Sequence, residues 1–295
     1  MASYVQRACN SITGFGQRYE KFSRLLLVSQ YSKGTIANYC SKIACVCLYY
    51  GKVPEDLSKE EIDLYLSGLL DRKPVPGTSM FVHVSVGFRS YYSLMGFEQM
   101  KFNLPRIKKK KTLPVVLSEP EMRSLLQQTS DYRQKAVLTL LYSLGLRVGE
   151  LCHLEVADLD IDRQRVHIRQ GKGRKDRYLP LAERSLPLLK CYLRDFRPQR
   201  YLFYTCRPGI PVNSRDVSLI LKEACIRIHC SKKVTCHTLR HTFATHSLEM
   251  GVSILRVKEL LGHRDIQSTL IYLQVIRKEN NISLNPLDKL FPKKV

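Results

Sequence analysis

Residues 237–246 read His-Thr-Leu-Arg-His-Thr-Phe-Ala-Thr-His, and this stretch says more about the fold than any other part of the chain. It predicts a helix in which a spacing of three residues places His237 and Arg240 on one face. An arginine guanidinium binds two phosphate oxygens at once, and a histidine takes up or releases a proton near neutral pH. The pattern therefore favours a site that acts on a phosphate group.

A metal site is the alternative interpretation of the same stretch. His237 and His241 are four residues apart, as two zinc-binding histidines on a helix are. No glutamate follows His237, however, so the zinc-protease pattern is absent. Four further residues nearby lack a standard zinc-ligand spacing: Cys225, His229, Cys230 and Cys236. The sequence therefore predicts no metal site.

Two shorter motifs flank this stretch on either side. Upstream, residues 145–151 read Gly-Leu-Arg-Val-Gly-Glu-Leu, so that Arg147 follows a helix-ending glycine and begins another helix. Downstream, Gly262 ends a short helix and leaves His263 at its exposed end, and Tyr272 lies nine residues further on in an apolar stretch. Taken singly, each is ordinary, because arginines at helix ends are commonly solvated and such a tyrosine commonly belongs to a core.

A β-hairpin is predicted between these motifs. Apolar and polar residues alternate in 165–169 and again in 177–181, around a Gly-Lys-Gly turn at 171–173. The tip carries Lys172, Arg174 and Lys175. Several cations on a glycine-flanked turn suit a phosphate backbone, although an ordinary polar turn has the same composition.

The charge of the chain points to a polyanionic partner. Lysine and arginine number 48 against 26 acidic residues, a formal net charge of +22. A surplus of this size favours nucleic acid over a basic surface that serves only solubility. Between prolines near both of its ends, one segment concentrates five of these cations: Arg106, Lys108, Lys109, Lys110 and Lys111. This segment is predicted either to bind DNA phosphates or to be a solvated spacer.

The fold class is predicted to be mainly α with a small β-hairpin or sheet. Residues 1–104 are predicted to form a helical domain, with Ser32 before one helix and a capping box of Ser58 and Glu61 before the next. A basic linker, 105–113, precedes a second domain, 114–295, which opens with a capping box at 118–121. Helices are expected near 79–94, 183–196, 214–228, 237–250, 254–261 and 266–275.

No stretch is apolar enough to span a bilayer, and the N-terminus has no apolar signal core. We therefore expect a cytoplasmic protein that acts away from membranes. The ten cysteines are then expected to be free thiols, because that compartment is reducing.

In this order and at these distances, the motifs together resemble the tyrosine recombinase, or phage integrase, family, and are most similar to its Xer-like members. The resemblance covers residues 114–276 well, and over residues 1–105 it is weaker and rests on helix pattern more than on motif. The family pattern is Arg, Lys, His-x-x-Arg, His and Tyr. Every member of it has a counterpart here: Arg147, Lys172, His237, Arg240, His263 and Tyr272.

The resemblance implies an enzyme that cuts and rejoins DNA through a 3′-phosphotyrosine intermediate. Tyr272 would attack the phosphorus, Lys172 would protonate the leaving 5′ oxygen, and His237 would help to remove the tyrosine proton. Lys175 is close enough to be the alternative general acid. The implied reaction needs no ATP, metal or other cofactor.

The resemblance also implies that two arginines and a histidine would stabilise the transition state. Arg147 and Arg240 would bind the nonbridging phosphate oxygens, and His263 would add a hydrogen bond. One position departs from many relatives, because Gln274 stands where they have a histidine. That position is not essential to the implied chemistry.

The resemblance also implies an architecture and partners. A helical core-binding domain and an α/β catalytic domain would close on double-stranded DNA as a C-shaped clamp, and a homo-tetramer would join two DNA sites, with no small-molecule substrate. The chain would serve DNA integration, excision, resolution or inversion, as in mobile genetic elements. An apolar C-terminal set would pack on a neighbouring subunit or fray: Leu287, Leu290 and Phe291. The alternative functions are a type IB topoisomerase and a non-catalytic DNA-binding regulator.

Overall fold

The computed structural model describes residues 3–71, 78–97, 113–169, 176–205, 207 and 209–279. For residues 277–279 it describes the backbone only. Contacts divide the chain into two compact units, Met1–Lys110 and Lys111–Val295. Residues 98–112, which contain most of the predicted basic linker, lie outside the described residues. The domain limits at 104 and 113 therefore stay predictions.

The N-terminal unit is a bundle of α-helices. Its described helices are α1 Tyr4–Ser11, α2 Phe15–Val28, α3 Lys33–Tyr50, α4 Lys59–Leu70 and α5 Thr78–Met95. Ser32 and Ser58 cap α3 and α4 as expected, and the carboxylate of Glu61 completes the capping box by accepting a hydrogen bond from Ser58 N. Gly96 follows α5 with φ +85°, a conformation that glycine adopts without strain.

Aromatic residues are the largest side chains in the core of this bundle. Phe22, Tyr91 and Tyr92 are each about 2% exposed. The two tyrosines keep their hydroxyls satisfied: Tyr92 donates to Pro54 O at 2.7 Å, and Tyr91 donates to Glu55 Oε1 at 2.8 Å. Both acceptors lie in the short turn between α3 and α4, so these hydrogen bonds fix that turn against α5.

The C-terminal unit contains the remaining described helices and a small sheet. The helices are α6 Glu119–Gln127, α7 Tyr132–Ser143, α8 Val148–Cys152, α9 Leu186–Phe196, α10 Ser214–Arg227, α11 Cys236–Glu249, α12 Ile254–Leu261 and α13 Gln267–Glu279. The strands are β1 Leu159–Asp160, β2 Arg165–Ile168 and β3 Arg177–Pro180, antiparallel in that order. The expected fold class, mainly helical with a small sheet, is confirmed.

The predicted hairpin corresponds to β2 and β3, with Val166 paired to Leu179. Val166, Ile168 and Leu179 are buried, whereas Tyr178 is 56% exposed, so one face of the hairpin packs on the core. The hairpin tip, residues 170–175, lies outside the described residues. The additional strand β1 pairs with β2 and was not expected from its two residues.

Helix α11 lies at the centre of this unit and is buried on several sides. It contacts α7, α10, α12 and α13. The backbone at Gly145 passes close to α11, because a Cβ atom added to this glycine would lie only 2.4 Å from Phe243 Cδ1. Gly145 also has φ +55°, so both space and backbone conformation require glycine there.

The chain enters this unit by binding directly to α11. Leu117 N donates to Thr242 Oγ1 at 3.1 Å, and His246 Nε2 donates to Leu117 O at 3.0 Å. The other ring nitrogen of His246 then accepts from the hydroxyl of Tyr142 at 2.9 Å. One residue earlier on the chain, Val116 O accepts from Lys232 Nζ at 3.1 Å. None of the described helices is both long and apolar enough to cross a membrane.

Candidate active site

Five of the six predicted catalytic residues lie in described segments, and the fold of the C-terminal unit brings them together. Arg147 is the N-cap of α8, and His263 follows the C-terminal end of α12. The other three lie on α11 and α13: His237, Arg240 and Tyr272. The segments meet because α12 and α13 both pack on α11.

Arg240 is fully buried, and two backbone carbonyls hold its guanidinium. Nη1 donates to Gly145 O at 2.7 Å, and Nη2 donates to Leu261 O at 2.6 Å. Burial, followed by the charge of Arg147, lowers the pKa of Arg240 to about 10, which leaves it charged at neutral pH. Its Nε is buried without a hydrogen-bond partner among the described residues. A buried cationic donor with a free N–H is suited to an anion.

Glu150 is the carboxylate around which the arginines are arranged. Its Oε2 accepts from Arg147 N at 2.9 Å, and its Oε1 accepts from Arg147 Nη1 at 2.7 Å. Arg177 binds the same carboxylate through two nitrogens, and Arg240 Nη1 lies 3.9 Å from Oε2. Burial raises the pKa of Glu150, but the hydrogen bonds and charges of Arg177 and then Arg147 outweigh it, so the pKa lies below its usual range.

His263 is half-buried rather than at the exposed end of a helix. The sequence interpretation was wrong on this point because α13 folds back over the end of α12. His263 Nδ1 lies 2.9 Å from Oγ1 of the fully buried Thr269. Burial, with the charges of Arg240 and Arg147, lowers the pKa of His263 to about 4. At neutral pH it is therefore an uncharged ring that can donate one hydrogen bond.

Tyr272 is 2% exposed, and its hydroxyl lies 3.0 Å from His241 Nδ1. Burial raises the pKa of Tyr272, although Arg240 and Arg147 oppose this. Burial also lowers the pKa of His241 to about 4, so at neutral pH the hydroxyl donates and the ring accepts. The His237 ring is 4.4 Å from the His241 ring between centroids. His241 is thus the residue that accepts the hydrogen bond of the Tyr272 hydroxyl, and His237 contacts His241 ring to ring.

The other predicted site residues, apart from Gln274, lie outside the described part of the chain. Lys172, Arg174 and Lys175 lie in the hairpin tip outside the described residues, as do the linker cations Arg106 and 108–111. Their roles stay predictions. Gln274, two residues after Tyr272, is exposed.

Three residues of the cluster were not singled out from the sequence. Glu150 stands in the quoted motif at 145–151, three residues after Arg147, which was its available signal. His241 was considered only as a metal ligand, at i+4 from His237. Arg177 was assigned only to the hairpin, as the last cation of its basic tip and the first residue of the returning strand. Its inward direction follows from the strand alternation, because it lies two residues before the buried Leu179.

In the part of the chain that the structure describes, no third metal-ligating side chain accompanies the His237 and His241 pair. Among the described residues, no group of three histidine, cysteine, aspartate or glutamate side chains is arranged to hold a metal ion. The described cysteines are free thiols.

An open groove of about 690 Å³ lies beside Arg147. Two further arginines line it, Arg169 and Arg200, each paired with an acidic residue of the same wall.

The candidate site as a whole contains two arginines, two uncharged histidines and a tyrosine hydroxyl: Arg147, Arg240, His241, His263 and Tyr272. This combination can bind a phosphodiester, stabilise added negative charge and supply a nucleophile.

Two family models match the chain. The phage integrase family model matches residues 99–279, and the model for the phage integrase N-terminal SAM-like domain matches residues 19–92. A tyrosine recombinase of Thermosipho africanus is 33% identical over 277 residues, which are 88% of this chain and 95% of the relative. A tyrosine recombinase of Pseudothermotoga lettingae is 31% identical over 280 residues, which are 91% of this chain and 97% of the relative.

Solved structures share the fold. A crystal structure of a lambda integrase tetramer bound to a Holliday junction aligns with a TM-score of 0.70 at 20% identity, over 90% of this chain and 78% of that one. At this identity the comparison speaks for the fold alone.

Proposed function

Because the chain belongs to the phage integrase family of tyrosine recombinases, we propose that it cuts and rejoins DNA strands at specific sites through a phosphotyrosine intermediate. Tyr272 is the nucleophile in this proposal. Arg147, Arg240 and His263 bind the nonbridging oxygens of the scissile phosphate.

The observation that carries the proposal is the state of Arg240. A guanidinium that is 0% exposed is costly to bury, and its Nε has no partner among the described residues. Three arginines surround the single carboxylate of Glu150, so the site retains excess positive charge. A phosphate oxygen would satisfy Nε and balance that charge. The Tyr272 ring lies 6.5 Å from the His263 ring between centroids, so a hydroxyl nucleophile accompanies the anion site.

The chemical step follows from these groups. Tyr272 Oη forms a bond to phosphorus, the bond from phosphorus to the 5′ oxygen breaks, and the DNA is left as a 3′-phosphotyrosine with a free 5′ hydroxyl. The hydroxyl proton of Tyr272 passes to His241 Nδ1, which already accepts its hydrogen bond. Lys172 supplies the proton for the departing 5′ oxygen. Attack by a 5′ hydroxyl from another strand reverses these transfers and joins new DNA.

His241 takes the position that sequence reasoning gave to His237. A general base must lie within hydrogen-bond reach of the proton that it removes, and His241 is at 3.0 Å. His237 is more exposed and adjoins His241 ring to ring, so it is placed to receive the proton next or to bind the phosphate. Both histidines are within the charge field of Arg240, which disfavours a lasting positive charge on either ring.

Double-stranded DNA is the partner in this proposal, and the net charge of +22 supports it. Four subunits would join two DNA sites, by analogy with the lambda integrase tetramer on its Holliday junction. Residues 1–104 would form the core-binding domain, and residues 114–295 the catalytic domain. The protein would act in the cytoplasm, where chromosomal or mobile-element DNA is accessible.

The proposal is tested by trapping the covalent intermediate. The DNA sequence that the purified protein protects is built into a nicked suicide substrate, incubated with protein and run on a denaturing gel. Wild type should give a protein–DNA adduct, and Tyr272→Phe should give none. Tyr142→Phe is the matched control, because it removes a similar tyrosine–histidine hydrogen bond at another position on α11, that to His246.

An adduct of normal yield with Tyr272→Phe would refute the assignment. Strand exchange between two differently labelled sites separates this function from that of a topoisomerase. A recombinase yields joined products carrying both labels, whereas resealing alone returns the starting molecules.

A further inference from the structure

We propose that Arg177 is a positioning residue of this recombinase, which holds Glu150 so that Arg147 and Arg240 remain available to the phosphate. This inference rests on the proposed function. Arg177 lies outside the six residues of the family pattern and does not touch the nucleophile in the described structure.

The contacts of Arg177 use both edges of its guanidinium. Nη1 donates to Glu150 Oε1 at 3.0 Å, and Nη2 donates to Glu150 Oε2 at 2.9 Å. Nε donates to Leu260 O at 2.9 Å. The Arg177 side chain is 11% exposed and that of Glu150 is 8% exposed, so both charges are largely removed from water. A bidentate pair in such surroundings fixes orientation as well as charge.

Glu150 needs this partner because it is also in contact with the phosphate-binding arginines. It already accepts from Arg147 Nη1 at 2.7 Å, and Arg240 Nη1 is 3.9 Å away. A buried carboxylate without Arg177 would draw both catalytic guanidinium groups toward itself, where they would neutralise it instead of the phosphate. By saturating both oxygens, Arg177 limits this competition.

Arg177 also connects two segments that each bring a site residue. It begins β3, directly after the hairpin tip, and it binds both α8 through Glu150 and the end of α12 through Leu260. The approach to α12 is close: a Cβ atom on Gly262 would lie 3.0 Å from Arg177 Nη1. His263 follows that glycine. Displacing Arg177 would therefore shift Arg147 and His263 relative to each other.

The test measures adduct formation under single-turnover conditions over a range of DNA concentrations. Arg177→Gln should lower the rate at saturating DNA by about 10- to 100-fold, since misplacement of about 1 Å costs this much. The DNA concentration giving half the maximal rate should stay close to that of wild type, because the side chain is buried away from bound DNA. Arg177→Lys retains the charge without the fork and should also be slow, which preserves the test if Arg177→Gln fails to fold.

A double variant asks whether Arg177 acts through Glu150. If it does, Arg177→Gln with Glu150→Gln should lose no more rate than the slower single variant, because the two belong to one chain of contacts. The matched control is Arg256→Gln, which breaks an exposed arginine–glutamate pair on α12 and should stay near the wild-type rate. Rate losses that multiply, an unchanged rate in Arg177→Gln, or a defect confined to DNA affinity would each overturn the inference. Absence of an adduct with wild type would instead refute the proposed function.

Discussion

Acid should destabilise this protein through two histidines of the candidate site. His241 and His263 are held uncharged, each with a pKa lowered from 6.5 to about 4 because the ring is buried near the arginines. Above pH 6.5 both rings are neutral in the folded and the unfolded chain, so neither contributes a pH dependence. Between 6.5 and 4 the unfolded chain binds protons that the folded chain does not, and stability must fall as the pH falls.

The size of the effect follows from the number of protons. Each histidine contributes a slope of at most about 1.4 kcal/mol per pH unit, and both together at most about 2.7 kcal/mol per pH unit near pH 5. The chain has no tryptophan, so urea unfolding is followed by far-UV circular dichroism at several values between pH 7.5 and 5. Plotting the free energy of unfolding against pH gives the slope directly.

His241→Asn isolates one of the two contributions. Asparagine keeps an acceptor near the position of Nδ1 for the Tyr272 hydroxyl but cannot take up a proton. Its curve should be flatter than that of wild type by about 1.4 kcal/mol per pH unit below pH 6. Any loss of packing displaces the whole curve, including the part above pH 7, and is thereby separated from titration. Parallel curves for the variant and wild type would refute a neutral, buried His241.

Further expectations concern the metal, the hairpin, the linker and the close approach to α11. Cleavage should survive EDTA, because arginines supply the positive charge, and restoration of a lost activity by magnesium or zinc would contradict this. Lys172→Ala should cleave slowly on normal DNA and recover on a substrate with sulfur at the bridging 5′ position. If Lys175→Ala shows that behaviour instead, the general acid is Lys175. Replacing lysines 108–111 with glutamine should reduce the slope of log affinity against log salt by up to about 3 to 4; an unchanged slope would make the segment a spacer. Gly145→Ala should lower the free energy of unfolding by about 2–4 kcal/mol by clashing with Phe243, as measured by urea unfolding, and normal stability would contradict the packing.

Local signals in the sequence predicted the elements well. The capping boxes at Ser58 and Ser118 mark the starts of α4 and α6, and Gly262 ends α12. Capping residues and helix-ending glycines act within a few residues, so helix ends can be predicted from them without knowledge of the tertiary structure. The two-residue strand β1 escaped notice because it exists only through its pairing with β2.

The site was predictable where the residues belong to a recurring motif and not where partners are chosen by packing. Arg177 meets Leu260 across 83 positions of sequence, and His241 meets Tyr272 across 31. The helical spacing that pairs His237 with Arg240 says nothing about which ring faces α13. The tertiary structure decides this, by directing His241 toward the tyrosine.

The attachment of Leu117 to α11 bears on the construction of chimaeras. Its backbone N–H and carbonyl are both held by α11 side chains, Thr242 and His246, and Val116 is bound by Lys232. From Val116 onward the backbone is therefore packed into the C-terminal unit and is not part of a free linker. A chimaera that takes its N-terminal unit from a relative should therefore have its splice before Val116. A splice after Leu117 would replace the residues that bind α11, the helix whose His241 contacts Tyr272.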